Sequence, residues 1–230
     1  MMKQSRNPSA PPRRGRPARL DRAAVTTAAL DLLDAVGVED LTMRRLAERV
    51  GVQAGALYRH FATKHDLLTA MAERMLDDIR AAGSQEEPET VDDLARALRH
   101  ALLARRDGAR VYAGTHPVGP NTLAYGDRLV AALLRTGLTV QDSGRAFLAV
   151  VNYTVGHTLE EQASTPSQDD GIEGVQALGR AVHEGDYAHL ALVLPALTDP
   201  DFEQHFALGL QLLMDGVRAR AGEGGREVAP

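Results

Sequence analysis

The sequence predicts an all-α fold, with an N-terminal three-helix helix-turn-helix domain followed by a larger α-helical domain. Apolar residues recur at helical spacing in successive segments of the 230 residues. Glycine and proline separate these segments, and no segment of any length alternates polar and apolar residues as a half-buried strand does. The length allows one or two domains, and 44% hydrophobic with 25% charged residues is ordinary for a globular chain.

Several classes of protein are excluded by composition. The chain has no cysteine, which excludes disulfides, thiolate zinc sites, iron–sulfur clusters and cysteine nucleophiles. No run of about 18 apolar residues is present, so we expect no membrane partner. The first 20 residues lack the apolar segment of a secretory signal, which makes the cytoplasm the expected location.

Charge is distributed unevenly along the chain. Residues 1–66 carry a net charge of +5, whereas residues 67–230 carry −10. A basic end joined to an acidic body suggests that only the first part meets a polyanion, although an uneven solvated surface would look the same.

Residues 1–20 are predicted to form a disordered basic arm, because they are rich in proline and poor in large apolar residues. The arm contains Arg14-Gly15-Arg16-Pro17, which resembles the core of an AT-hook, a segment that places arginines in a narrow A·T minor groove. A basic tail that adds only nonspecific affinity for DNA is an equally good interpretation of this short motif.

The helix pattern begins at Asp21, a good N-cap, and the first helix is predicted to end at Gly37 in a left-handed conformation. A second helix is expected from about Thr42 to Val50, where Gly51 ends it, and a short third helix from about 53 to 60.

Thr63 and Asp66 fit a capping box at the start of a long helix over about 64–82. Further helices are predicted at about 91–106, 122–136, 140–162 and 200–220, with a weaker helical segment at 172–194 and a flexible tail at 221–230.

Two short helices joined at Gly51, with a third helix behind them, fit a helix-turn-helix. The second short helix carries Gln53, Tyr58, Arg59 and His60, whose side chains can reach base edges and phosphates. A solvated polar face is the alternative interpretation.

Residues 21–68 resemble the DNA-binding domain of the TetR-family repressors. The resemblance rests on Val36-Gly37-Val38-Glu39-Asp40-Leu41-Thr42-Met43-Arg44-Arg45-Leu46-Ala47, Leu57-Tyr58-Arg59-His60-Phe61 and Lys64-His65-Asp66-Leu67-Leu68. Residues 69–220 resemble the ligand-binding and dimerisation domain of the tetracycline repressor subclass. There the motifs are Arg106-Asp107-Gly108-Ala109-Arg110-Val111, Gly114-Thr115-His116-Pro117 and Leu159-Glu160-Glu161-Gln162.

The resemblance implies a role for each matching residue of the first domain. Thr42, Tyr58, His60 and Lys64 match positions that contact the DNA backbone. Arg44 matches a position that reads a guanine, which agrees with the ability of a guanidinium to bond guanine O6 and N7 together. Gln53 and Arg59 can also reach bases, and Arg14 and Arg16 would contact DNA from the arm.

The ligand site implied by the resemblance is altered in this chain. Tyr112 stands where the tetracycline repressor has a metal-binding histidine, and Glu160 alone keeps a metal-associated carboxylate. One carboxylate is a poor basis for a magnesium site, so we expect neither magnesium–tetracycline nor any other metal or cofactor. The predicted pocket has apolar walls and polar groups suited to a polycyclic, antibiotic-like molecule: Leu94, Leu98, Phe147, Tyr112, His116, Asn152, Tyr153 and His157. For Tyr153 and His157, a satisfied core or interface group is the competing interpretation.

These features predict a ligand-responsive repressor that binds a palindromic operator as a homodimer and controls an efflux or resistance gene. A regulator controlled by a protein partner is the main alternative. His157 and Glu160 lie three residues apart on one helix, which raises a helical-bundle metalloenzyme as a third class. The chain shows no nucleophile–base signature and no phosphate-binding glycine loop, so we expect no enzyme.

Overall fold

The computed structural model describes residues 21–81, 88–164 and 168–224, and over these ranges the fold is all-α, as predicted. The helices are α1 (Arg22–Asp40), α2 (Met43–Val50), α3 (Ala54–Leu57), α4 (Lys64–Met75), α5 (Asp77–Ala81), α6 (Val91–Leu103), α7 (Gly108–Ala113), α8 (Pro120–Arg135), α9 (Val140–Ala163), α10 (Gln168–Glu184), α11 (Ala188–Leu197) and α12 (Phe202–Gly224). Among the described residues, none of these helices is both long and apolar enough to cross a membrane.

Helices α1 to α3 form the N-terminal part of the fold, called the head below, and their ends follow the sequence signals. The Asp21 carboxylate accepts from the Ala24 amide at 2.7 Å and caps α1. Gly37 (φ 78°) bends the chain within the last residues of α1. The Thr42 hydroxyl accepts from the Arg45 amide at 3.2 Å and caps α2, and Gly51 (φ 71°) ends it. The predicted cap at Asp21 and the predicted end of α2 at Gly51 are therefore confirmed. Gly37 has a positive φ, but α1 continues past it to Asp40, so the predicted end of α1 at Gly37 is wrong.

Helix α3 is shorter than predicted. It spans Ala54–Leu57 and is followed by turns as far as His60. Leu57 and Phe61 are almost fully buried and anchor the segment to α1 and α2. A segment this short is not stable as an isolated helix, so burial of these two anchors contributes to its stability.

Helix α4 connects the head to the rest of the molecule. Thr63 and Asp66 form the predicted capping box, with both hydrogen bonds at 3.0 Å. The prediction of one continuous helix over 64–82 is wrong, because the helix breaks at Leu76 and resumes as α5. The side chain of Asn121 donates to the Glu73 carbonyl at 3.0 Å, and such an insertion interrupts a helical ladder.

The body is built around α9, against which α6, α7, α8 and α12 pack. Helix α7 lies in a segment for which no helix was predicted, because six residues are too few to show a helical period. The weaker segment at 172–194 forms two helices, α10 and α11. Helix α12 continues to Gly224, four residues into the predicted tail, and residues 225–230 lie outside the described ranges.

The head joins the body through the turn between α6 and α7. Arg105 pairs with Asp34 at 2.7 Å, and Asp107 accepts from the Val38 amide at 2.8 Å. Gln162 of α9 supports this turn by donating to the Arg105 carbonyl at 2.8 Å. A Cβ on Gly108 would lie 2.2 Å from the Leu102 carbonyl oxygen, so the turn requires glycine there.

Candidate functional site

The outer surface of α2 and α3 presents polar side chains to solvent. The Arg44 side chain is 88% exposed and pairs with Glu48 at 3.0 Å. Gln53 precedes α3 without using its side chain as a cap, and Tyr58 is 52% exposed. An exposed pair of this kind contributes little to stability, so Arg44 can exchange Glu48 for another partner at small cost.

The remaining predicted DNA contacts border this surface. Arg59 is exposed, and His60 is half-buried. The His60 carbonyl accepts from Arg22 Nη1 at 2.8 Å, and the Arg22 guanidinium lies 4.4 Å from the Phe61 ring centroid. These contacts fix the end of the α3 segment against α1.

Thr42 and Lys64 each have an intramolecular contact. The Thr42 oxygen accepts the cap hydrogen bond, which leaves its hydroxyl proton available to a phosphate. Lys64 Nζ donates to the Val38 carbonyl at 3.3 Å, and an ammonium has two further N–H groups. Arg14 and Arg16 lie outside the described residues, so their roles stay predictions.

The predicted effector residues divide between different surroundings. Leu94 and Leu98 are fully buried beside Tyr125, whose hydroxyl donates to the Leu94 carbonyl at 3.4 Å. Tyr112 is buried, and this burial, with a smaller contribution from the nearby Glu73 carboxylate, raises the pKa of its phenol. These residues belong to the packed core of the body.

Three other predicted effector residues are more accessible. His116 is exposed and adopts a left-handed backbone (φ 46°) in the break between α7 and α8. Phe147 is half-buried near Gly126 of α8, and Asn152 is exposed on α9.

Tyr153 and His157 contact α12. The Tyr153 hydroxyl donates toward the Phe206 carbonyl at 2.9 Å, and its ring stacks on Phe206 with centroids 5.5 Å apart. The His157 ring lies 5.3 Å from that of Phe206, and Nδ1 is 3.9 Å from a Glu161 oxygen. Burial lowers the pKa of His157. The geometry therefore places both residues at a helix–helix interface.

Arg99 of α6 extends the same interface. It binds Glu161 of α9 through two hydrogen bonds of 2.8 Å, and it also pairs with Glu203 of α12. Its guanidinium lies 5.1 Å from the Phe206 ring centroid. No local signal could have identified this network, because Arg99 and Glu161 are 62 positions apart in the sequence.

A cavity of about 420 Å³ separates the head from the body. It is bounded by α1, α6 and the α4–α5 segment, and none of the eight predicted effector residues lines it. Its lining residues are Thr27, Leu30, Arg74, Met75, Asp77, Asp78, Ile79, Ala97, His100, Ala101, Ala104 and Arg105. Within the described ranges, no cluster of three or more histidine, aspartate or glutamate side chains is placed to hold a metal ion.

Comparison with known proteins agrees with this geometry in both parts of the chain. Residues 25–71 match the family described as bacterial regulatory proteins, tetR family, and residues 83–221 match the tetracyclin repressor-like C-terminal domain. The class A tetracycline repressor from transposon 1721 of Escherichia coli is 38% identical over 88% of this chain and 92% of its own length.

Two solved structures extend the comparison to the fold. A possible TetR family transcriptional regulator from Streptomyces coelicolor A3(2) is 54% identical, with a TM-score of 0.76 over 86% of this chain and 99% of that one. ActR from Streptomyces coelicolor, in complex with (S)-DNPA, is 25% identical, with a TM-score of 0.76 over 89% of this chain and 100% of that one. The chain belongs to the TetR family of bacterial transcriptional regulators.

Proposed function

We propose that this protein is a ligand-responsive repressor that binds a palindromic operator as a homodimer. The observation that carries the proposal is the exposed face of α2 and α3, which the buried Leu57 side chain fixes to the core. The polar side chains on this face are Arg44, Gln53, Tyr58 and Arg59. A dimer places two such faces in successive major grooves, which is why the operator should be an imperfect palindrome.

Exposed apolar side chains on α9 and α12 support the homodimer. Leu148 of α9 and Leu208 and Leu212 of α12 are each more than half exposed in the single chain. Helix α11 is rich in leucine and has no buried residue. A continuous exposed apolar surface is typical of a protein interface, and α9 with α12 could form a four-helix bundle with the same helices of a partner.

The proposed effector is a small amphipathic, polycyclic molecule that releases the repressor from an efflux or resistance gene. The relatives that support this class are named as tetracycline repressors, and ActR was solved with (S)-DNPA. Magnesium–tetracycline itself fits poorly, because Tyr112 offers a buried phenol of raised pKa where a metal ligand is required.

A specific observation favours a second candidate, a regulator that responds to a protein partner. Leu94 and Leu98 are fully buried, so their side chains belong to the packed core of the body. An effector entering there would have to displace packed side chains, which costs free energy.

Operator binding by the purified protein tests these proposals. The probe is the intergenic DNA upstream of its own gene, titrated by fluorescence anisotropy with and without a panel of polycyclic antibiotics. We expect sequence-specific binding that one compound releases. Specific binding that no compound alters would favour the protein-partner candidate, and absence of specific binding would overturn the DNA-binding proposal.

The basic arm contributes to DNA binding in this proposal. Removal of residues 1–20 should weaken binding to all sequences and lower the slope of log K against log salt by about one per lost phosphate contact. A preference for A·T-rich flanking DNA that disappears with the arm would support minor-groove insertion of Arg14 and Arg16. An unchanged slope would contradict any role of the arm.

A further inference from the structure

The helix that joins the head to the body is broken at Leu76 although its sequence favours continuity. Residues 64–81 contain no glycine and no proline, and apolar residues keep helical spacing across the break. Leu76 itself is fully buried, with φ −89° and ψ 1°. The break therefore depends on contacts from elsewhere in the fold.

Asn121 of α8 supplies the contact that interrupts the helix. Its side-chain amide donates to the Glu73 carbonyl at 3.0 Å and also to the Asp77 carboxylate, so it spans the break. The Leu76 amide bonds the same carbonyl at 3.2 Å, which tightens the last turn of α4. Asn121 is buried. Breaking its hydrogen bonds would leave a buried side-chain amide unpaired, which costs free energy of desolvation.

The Glu73 side chain fixes the same two helices a second time. Its carboxylate accepts from the backbone N–H of Asn121, from the backbone N–H of Thr122 at 3.2 Å and from the Thr122 hydroxyl at 2.7 Å. Both backbone N–H groups lie in the first turn of α8, where the helix itself offers no acceptor, and Gly119 provides no side-chain cap. A carboxylate at a helix N-terminus is stabilised by the helix dipole.

The approach of Glu73 to α8 leaves no space for a side chain on Gly119. A Cβ there would lie 2.4 Å from the Glu73 carboxyl carbon. The contact between Glu73 and α8 therefore requires glycine at position 119 in the loop before α8.

The cavity between head and body adjoins the break. Arg74, Met75, Asp77, Asp78 and Ile79 form one wall, and alanines of α6 form part of another. Close-packed interiors resist displacement, so about 420 Å³ of space beside the break leaves room for α5 to move.

We propose that Glu73, Asn121, Thr122 and Asp77 form a latch that holds a hinge at Leu76 and thereby sets the position of the DNA-binding head. When the latch opens, α4 and α5 join into the continuous helix that their sequence favours, and α5 moves toward the cavity. Two discrete arrangements of one connecting helix are the kind of element that converts a small local change into a domain movement. The effect on DNA affinity rests on the proposed function, whereas the hinge itself does not.

The hinge can be tested by distance measurement, because the chain has no native cysteine. Spin labels are attached to Arg49→Cys on α2 and Asp127→Cys on α8, both exposed positions. The labelled full-length chain is mixed with an excess of unlabelled protein so that distances within one chain dominate.

Asn121→Ala opens the latch, and we expect the mean distance to shift by roughly 2 Å or more. Glu73→Gln, which preserves shape, should produce a smaller shift in the same direction. Gln141→Ala, on an exposed part of α9, is the matched control and should leave the distance unchanged. Circular dichroism checks that each variant stays folded. Unchanged distances in both folded latch variants would overturn the proposal.

Ala101→Leu fills the cavity next to the hinge and provides a second test. In the Asn121→Ala background it should return the distance toward that of the parent, because α5 then lacks room to move. If the distance in the double variant stays at that of Asn121→Ala, α5 does not move into the cavity.

The link to DNA is measured separately. Asn121→Ala should change affinity for the upstream DNA about tenfold. A shifted distance with unaltered affinity would overturn the regulatory role of the hinge. Absence of specific binding by the parent protein would instead count against the proposed function, so the two failures are distinguishable.

Discussion

The side-chain hydrogen bonds of the DNA-binding head and those of the body differ in how far apart their partners lie in the sequence. In the head, most side-chain hydrogen bonds join residues three to five positions apart, as between Thr42 and Arg45 or Arg44 and Glu48. In the body, the strongest contacts span long stretches of chain, as between Arg99 and Glu161 or Glu73 and Thr122. The head is therefore specified locally, whereas the body depends on tertiary packing.

This difference affects how each part can carry function. A locally specified head keeps its exposed side chains available to DNA, because caps and buried leucines already fix its backbone. The body uses its charged side chains to hold helices together, so many of its polar groups already have partners. Four substitutions test this contrast, in order of decreasing effect.

The largest effect is expected from Arg99→Ala in the body. The change leaves the Glu161 and Glu203 carboxylates without their shared partner in a partly buried site. We expect the free energy of unfolding to fall by about 3 kcal/mol, measured by urea denaturation at fixed protein concentration. Arg145→Ala removes an exposed guanidinium from Asp142, which still pairs with Arg220, and should have almost no effect. Equal losses in both variants would contradict the contrast.

Arg44→Ala should affect DNA binding rather than stability. We expect specific binding to weaken by about 1–3 kcal/mol, with relaxed preference at one base pair. Anisotropy titrations against operators with single base changes measure both effects. Arg218→Ala, on α12, is the matched control. Uniform weakening on every sequence would assign Arg44 to phosphate contact instead.

Thr63→Ala removes one half of the capping box at the start of α4. The expected loss is about 1 kcal/mol of stability, read from urea denaturation. Thr69→Ala is a suitable control, because the Thr69 hydroxyl bonds the His65 carbonyl within the same helix and a mid-helix bond of this kind adds little. If the two variants lose equal stability, local capping does not specify the start of α4 that leaves the head.

The smallest effect concerns pH. Burial among aromatic rings lowers the pKa of His157 below its ordinary value of 6.5. The unfolded state therefore binds the proton more readily, and this residue makes stability fall as pH drops below about 6.5. His157→Gln should flatten stability between pH 7 and 5. His65→Gln, at an exposed position on α4, should keep the parent profile. A His157→Gln profile identical to that of the parent would contradict the assignment.

The sequence predicts the fold class and the head well, because Asp21, Thr42, Gly51 and Thr63 act on their immediate neighbours. It fails at Leu76, where the break depends on Asn121, 45 positions along the chain from Leu76.

The effector region shows the same limit. Tyr153 and His157 were predicted to line a pocket, but their contacts with Phe206 are tertiary and could not be foreseen from spacing. The competing interpretation, an interface group, describes their surroundings better. Their predicted role in ligand binding stays untested.

The junction between head and body has a practical consequence for protein engineering. The contacts that join α1 to the α6–α7 turn involve Asp34, Val38 and Glu39 on one side and Arg105, Asp107 and Arg110 on the other. A chimera that takes its operator specificity from one relative and its body from another must keep these two short sets matched. Since caps and buried leucines fix the backbone of the head, recombination at this seam should exchange the head while leaving the packing of the body unaltered.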